Sequence, residues 1–107
     1  MSIKEIKWNS SEKKIARNAF DKAYQNEIED IKNAIKEQVE KLEIASDVWS
    51  LHDYLSSRRK SIDRKYDYRY SHLLYIFPTL ISQNYISKSD LLGLSEEKIA
   101  IINRQID

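Results

Sequence analysis

From Asn9 to about Ile44 no glycine or proline interrupts the chain, and apolar residues recur at three- and four-residue steps: Ile15, Ala16, Ala19, Phe20, Ala23, Tyr24, Ile28, Ile31, Ile35, Val39 and Leu42. That spacing draws one apolar stripe along a helix, with Glu, Lys, Gln and Asn on the other faces. Asn9 is placed to cap its start with Glu12 as the reciprocal partner, and Ser10 is an equal candidate. Such a helix of about 34 residues is about 50 Å long at 1.5 Å per residue. A compact globule of this chain length has a radius of gyration of about 13 Å. The helix must therefore project beyond any body the remaining residues can build. Its protruding residues, Ile28, Ile31, Ile35, Val39 and Leu42, need cover. A second helix supplies part of it, and a second subunit the rest, most simply in a two-fold homodimer. A monomeric three-helix bundle is the competing arrangement.

The rest of the composition agrees with an all-α fold. One glycine and one proline in 107 residues are far too few for a β-sandwich or barrel. Charged residues make up 33% of the chain with signs nearly balanced, 18 Lys and Arg against 17 Asp and Glu, as suits amphipathic helices with solvated faces. The length fits a single domain over 1–107, with two long helices over about 9–67 and a small helical head over about 68–107. A net charge of +1 lacks the basic excess of a dedicated nucleic-acid binder. With no cysteine there is no disulfide, thiolate or zinc-thiolate chemistry. Met1 to Trp8 holds no apolar signal region. The longest apolar run, Leu73 to Ile81, is broken by Pro78 and is too short to span a membrane. A cytoplasmic location is expected.

After the first helix, Ser46 or Asp47 is placed to cap a second, running to about Asp67. Leu51, Leu55, Arg58, Ile62 and Tyr66 form the face turned to the first helix. The two helices make an antiparallel extension. Lys65 to Tyr70 alternates as a strand would, but with no partner strand it reads as a helix junction. A third helix over about Arg69–Gln83 is apolar nearly all round, with a kink expected near Leu74 to Pro78. Ser87 and Asp90 frame a short capping box, Gly93 fits a left-handed helix end, and Ser95 caps a last helix to about Asn103.

Little in the chain suggests catalysis. His52 and His72, the usual bases, fall on different helices with no nucleophile patterned beside either. His52 and Asp53 are adjacent, so their side chains diverge by about 100° and do not form an i,i+4 metal pair. One glycine cannot build a phosphate cradle. Carboxylate pairs such as Glu27 and Asp30 read as solvated surface. Neither a metal nor a cofactor is expected, and the chain reads as a non-enzyme. The basic and aromatic interleaving of Arg64 to Tyr70 leaves nucleic-acid stacking as a weaker alternative.

The most unusual stretch is Trp49 to Lys60. Trp49, His52, Asp53 and Arg59 lie within an arc of roughly 120° on one helix. A tryptophan ringed by ionisable groups suits a protein–protein surface. It also suits a residue packed between the first two helices, and periodicity leaves both readings open.

At these residues the chain resembles the fluorescence recovery protein family of cyanobacteria. The resemblance is carried by Val48-Trp49-Ser50-Leu51-His52-Asp53-Tyr54-Leu55-Ser56, by Arg59, and by Ile62-Asp63-Arg64-Lys65-Tyr66-Asp67. It extends to Phe20–Glu27, to Trp8 with its following polar cap, and to Leu91–Leu94. It implies a helical homodimer that binds the C-terminal domain of the photoactivated orange carotenoid protein. Such a protein speeds the partner's reversion to the inactive orange form and its release from the phycobilisome, so that fluorescence recovers. The expected place of action is then the cytoplasmic face of the thylakoid membrane. The resemblance assigns Trp49, His52, Asp53 and Arg59 to the dimer interface and its surroundings. It puts the head aromatic that binds the partner at Tyr75, where the family carries phenylalanine. It puts a lysine of the last helix at Ile101, and Lys98, one turn away, is the substitute. A family-like helical dimer with a different protein or nucleic-acid partner is the alternative.

Overall fold

The structure, a computed structural model, describes residues 6–106, so Met1 to Glu5 of the expected lead-in lie outside the described residues. Among the described residues there are four α-helices and one 3-10 turn: α1 over Ser10–Glu40, α2 over Ala45–Lys65, α3 over Tyr70–Ser82, the 3-10 turn over Lys88–Leu91, and α4 over Glu96–Arg104. The single β-type contact among the described residues is an isolated bridge between Leu92 and Leu94.

Of the two candidate caps for α1, the fold uses Asn9. Its side chain accepts from the Glu12 N–H at 2.8 Å, and the Glu12 carboxylate accepts from the Asn9 N–H at 3.2 Å. The helix stops at Glu40, four residues short of the expected end. Asp47 explains the early stop. It sits inside the first turn of α2, not at the cap expected of it, and its carboxylate accepts from the Glu43 and Ile44 N–H groups at 3.0 and 3.1 Å. Those hydrogen bonds hold the reversal open, and they hold the Asp47 carboxyl below the usual carboxylate range. Ile44, extended at φ −125°, is the actual N-cap position.

α2 ends at Lys65, two residues earlier than expected, and Tyr66 to Arg69 form a non-helical junction. α3 runs through Pro78 without ending there. Pro78 has no N–H to give the Leu74 carbonyl one turn back. The Gln105 side chain supplies the donor instead, at 2.8 Å, and ties the end of α4 to α3. Asn84, at φ +66°, closes α3: the Tyr85 N–H donates to the Leu80 carbonyl and the Asn84 N–H to that of Ile81, a Schellman motif with asparagine in the usual glycine place. Gly93 takes φ +104° as expected, and a Cβ there would fall 2.5 Å from Ile15 Cδ1.

The core is at one end. Ala16, Ala19, Phe20 and Ala23 of α1 pack against Leu73, Leu74, Phe77 and Leu80 of α3, with Leu91, Leu94 and Ile102 closing the head. Small residues on α1 let the head lie close to it. Each large side chain fully buried here contributes about 1.5–3 kcal/mol. Beyond the head, α1 and α2 continue as a projection. The molecule measures 55 × 27 × 27 Å with a radius of gyration of 17.2 Å, well above the compact value for this length. No described helix is long and apolar enough to cross a membrane.

Candidate functional site

The projection leaves apolar side chains bare. Val39, Ile44, Val48 and Trp49 cluster in sequence around the α1–α2 reversal, and each is about half exposed or more, Trp49 at 65%. Within this chain, then, Trp49 is not a core residue between the two helices. Its ring meets His52 edge-on, centroids 6.5 Å apart. His52 Nδ1 in turn lies 3.2 Å from Asp53 Oδ1, so the adjacent side chains do converge, against the divergence expected from helical geometry. Rotation about the side-chain torsions closes the gap on an unobstructed surface. Arg59 stands apart from this trio: it faces Asp63 one turn on at 3.7 Å, and both are exposed. The structure thus gathers Trp49, His52 and Asp53, and leaves Arg59 further along the same helix.

The polar residues inside the molecule are different ones. Glu27, read from sequence as solvated, is 1% exposed. It accepts from Arg58 Nη2 at 2.8 Å, from Lys65 Nζ at 2.6 Å and from the Tyr66 hydroxyl at 2.8 Å. One carboxylate therefore fixes α2 and the junction onto α1. Burial, and then the hydrogen bond to Glu27, push the Tyr66 hydroxyl pKa far up. The tyrosines of the junction also pack inward: Phe20 meets Tyr66 and Tyr68 edge-on at 5.3 and 4.8 Å, and Arg17 covers the Tyr68 ring. Two of the three basic residues there are engaged as well, Arg69 by Asp67 and Lys65 by Glu27, while Arg64 is exposed. Most of the interleaving that suggested nucleic-acid stacking is thus used for packing.

Lys98, expected at a partner-binding surface, is buried at 3% exposure. Its ammonium donates to both Glu12 oxygens at 3.2 Å and to the Lys7 carbonyl at 2.7 Å, and it sits over the Trp8 ring. The reason is register: Lys98 falls four residues from both Leu94 and Ile102, which are buried. It clasps the lead-in to the starts of α1 and α4 and cannot replace a surface lysine. Tyr75 does sit on the outside of the head, at 55% exposure on α3. His72, three residues earlier, lies 3.9 Å from Asp67. Among the described residues no group of three His, Asp or Glu side chains is placed to hold a metal ion.

Comparison with known proteins bears on this arrangement directly. Residues 8–105 match the family described as photoprotection regulator fluorescence recovery protein. The curated fluorescence recovery protein of Synechocystis sp. PCC 6803 is 33% identical over 94 residues, spanning 88% of this chain and 86% of its own. The solved structure of the Fremyella diplosiphon fluorescence recovery protein is 36% identical, covers 92% of this chain and 97% of its own, and superposes with a TM-score of 0.87. The Synechocystis structure superposes equally well, TM-score 0.87 at 31% identity, with the same coverage of both chains.

Proposed function

The chain belongs to the fluorescence recovery protein family of photoprotection regulators, and from that premise we propose that it binds the photoactivated orange carotenoid protein through that protein's C-terminal domain. It accelerates the partner's reversion to the inactive orange form and promotes its detachment from the phycobilisome, at the cytoplasmic face of the thylakoid. The observation that carries this reading is the match running from residue 8 to residue 105, across both the extension and the head. Such an accelerator makes or breaks no covalent bond. It lowers the barrier by binding a conformation on the way back more tightly than the active one.

The working unit is a homodimer joined along the exposed face of α2, with Trp49 as the apolar anchor and His52, Asp53 and Arg59 around it. The bare row of Val39, Ile44, Val48 and Trp49 supports this, because apolar surface of that kind is ordinarily covered. The partner is met by the head around Tyr75, whose ring stands clear of the fold. The test is optical: photoactivated carotenoid protein is left in the dark, and its return to the orange absorbance is timed with and without this protein. Acceleration that rises with added protein and then saturates is expected. An unchanged recovery rate at excess protein would overturn the reading.

A further inference from the structure

Beside Tyr75, where α2 gives way to α3, there is a cleft of about 340 Å³. Arg64 and Lys65 stand on its α2 side, His72, Tyr75 and Thr79 on its α3 side, and Asp67 in the junction between them. Its charges are unequally answered. Asp67, the one acid lining it, accepts two hydrogen bonds from Arg69 Nε, at 2.9 and 3.0 Å, and a third from Arg69 Nη2. Lys65 is held by Glu27 and by Gln83 Oε1 at 2.8 Å. Arg64 makes no ion pair and no side-chain hydrogen bond among the described residues, although it lines the cleft and is exposed. The cleft thus presents one free guanidinium, a second cation behind it, an aromatic ring and a hydroxyl.

We propose that this cleft seats a single acidic side chain of the protein partner, its carboxylate gripped by Arg64, while the residue next to it packs on Tyr75. The fork of a guanidinium matches a carboxylate in two parallel hydrogen bonds. The Tyr75 ring and the Ile76 side chain supply apolar wall for a neighbouring residue. One free cation is too little for a nucleic-acid backbone, whose binding scales with the number of phosphates neutralised. The proposal rests on the reading that the partner docks around Tyr75, and it adds the chemistry of what enters beside it.

Two measurements test it. In the first, amide NMR spectra of the full chain are titrated with acetyl-Asp-Leu-amide, acetyl-Asn-Leu-amide and inorganic phosphate. Saturable shifts at Arg64, Lys65, Tyr75 and Thr79 with the aspartyl probe only, lost in Arg64→Gln, are the expected result. Equal shifts from all three probes, no shifts from any, or shifts that survive Arg64→Gln would each overturn the proposal. In the second, the dark-recovery assay is run with Arg64→Glu and Arg64→Lys. The exposed position keeps both variants folded, as circular dichroism verifies. Arg64→Glu should need roughly tenfold more protein for half-maximal acceleration, and Arg64→Lys less than that, since it keeps the charge without the fork. A wild type that accelerates beside an equally effective Arg64→Glu sinks the cleft reading alone. A wild type without effect sinks the functional reading instead, and the titration then decides the cleft.

Discussion

Three side chains do inside this protein what their chemistry argues against. Glu12, Glu27 and Lys98 are charged, and each is at least 96% buried. The cause is position on a stripe. Glu12 lies four residues before Ala16, Glu27 sits between Ala23 and Ile31, and Lys98 sits between Leu94 and Ile102, all buried. A helix brings i and i±4 to one face whatever occupies the slot. Read from the sequence, Glu27 passes for solvated surface and Lys98 for a partner contact; the signal that corrects both is a lone charge between two stripe positions. What could not be read from one helix is the partner, because Glu12 and Lys98 are 86 residues apart. Lys98→Met should therefore cost about 3–5 kcal/mol, since it leaves Glu12 charged and buried without its cation. Thermal unfolding checks it, with a fall of ten degrees or more expected for a domain of this size. The pH dependence has a definite sign. Burial raises the Glu12 pKa, but hydrogen bonds from Ser95 and Asn9 and the ion pair with Lys98 outweigh it and hold the group below its ordinary value. Its contribution is present above the unfolded carboxylate range and is lost as pH falls through the lowered folded value. At the alkaline end the sign reverses. Tyr66 is pushed up by burial and Glu27, and Tyr68 to about 12 by burial and Tyr70. Their contribution holds below about pH 10 and fades as pH climbs toward the folded values. Urea midpoints measured from pH 3 to 11 should fall at both ends.

At the level of elements, the sequence announces starts better than stops. Asn9 and Ser95 begin their helices as their side chains foretell, and Ser87 stands before the 3-10 turn with its N–H donating to the Asp90 carboxylate at 2.9 Å. The end of α1 at Glu40 has no glycine or proline to mark it, and it depends on Asp47 reaching back across the turn. The end of α3 depends on Asn84 adopting a backbone conformation that glycine ordinarily takes. Pro78 was legible as a missing donor, but not the remedy, since Gln105 lies 31 residues from Leu74. That remedy can be isolated by a double-mutant cycle. Gln105→Ala should cost about 1–3 kcal/mol, because it strands the Leu74 carbonyl. In a Pro78→Ala background the restored N–H at residue 78 can serve that carbonyl, so the same change should cost distinctly less. Equal costs in both backgrounds, measured by denaturant unfolding, would show that Gln105 acts through some other contact. Gly93→Ala is a harsher change. It combines a φ of +104° with a Cβ placed 2.5 Å from Ile15 Cδ1, so strain and overlap add at one position.

For the molecule as a whole, one length decides the argument. α1 is 31 residues and the head covers only its first half, so the remainder projects with α2 alone to cover it. Periodicity foretold the projection, but it could not divide Trp49 between a core and a surface, because both place an aromatic ring on the same arc. The fold removes one branch by leaving Trp49 65% exposed in the single chain. The proposed dimer takes the other branch, and it has a thermodynamic signature distinct from any internal contact. If two copies bury the face of α2, unfolding is linked to association, and the midpoint must rise with protein concentration. Trp49→Ala removes the largest apolar group on that face and should weaken association by about 2 kcal/mol, roughly 30-fold in Kd. Asp53→Leu and Arg59→Leu should weaken it as well, through the polar surroundings. Because all three positions are exposed in the single chain, none should lower the stability of a dilute monomer by more than about 0.5 kcal/mol. Sedimentation equilibrium separates these expectations. The wild type should weigh twice its 12.7 kDa at tens of micromolar, and Trp49→Ala should drift toward one chain mass on dilution well before the wild type does. A wild type that sediments as a single chain at high concentration would return the bare row on the extension to the partner, whose binding would then have to cover it.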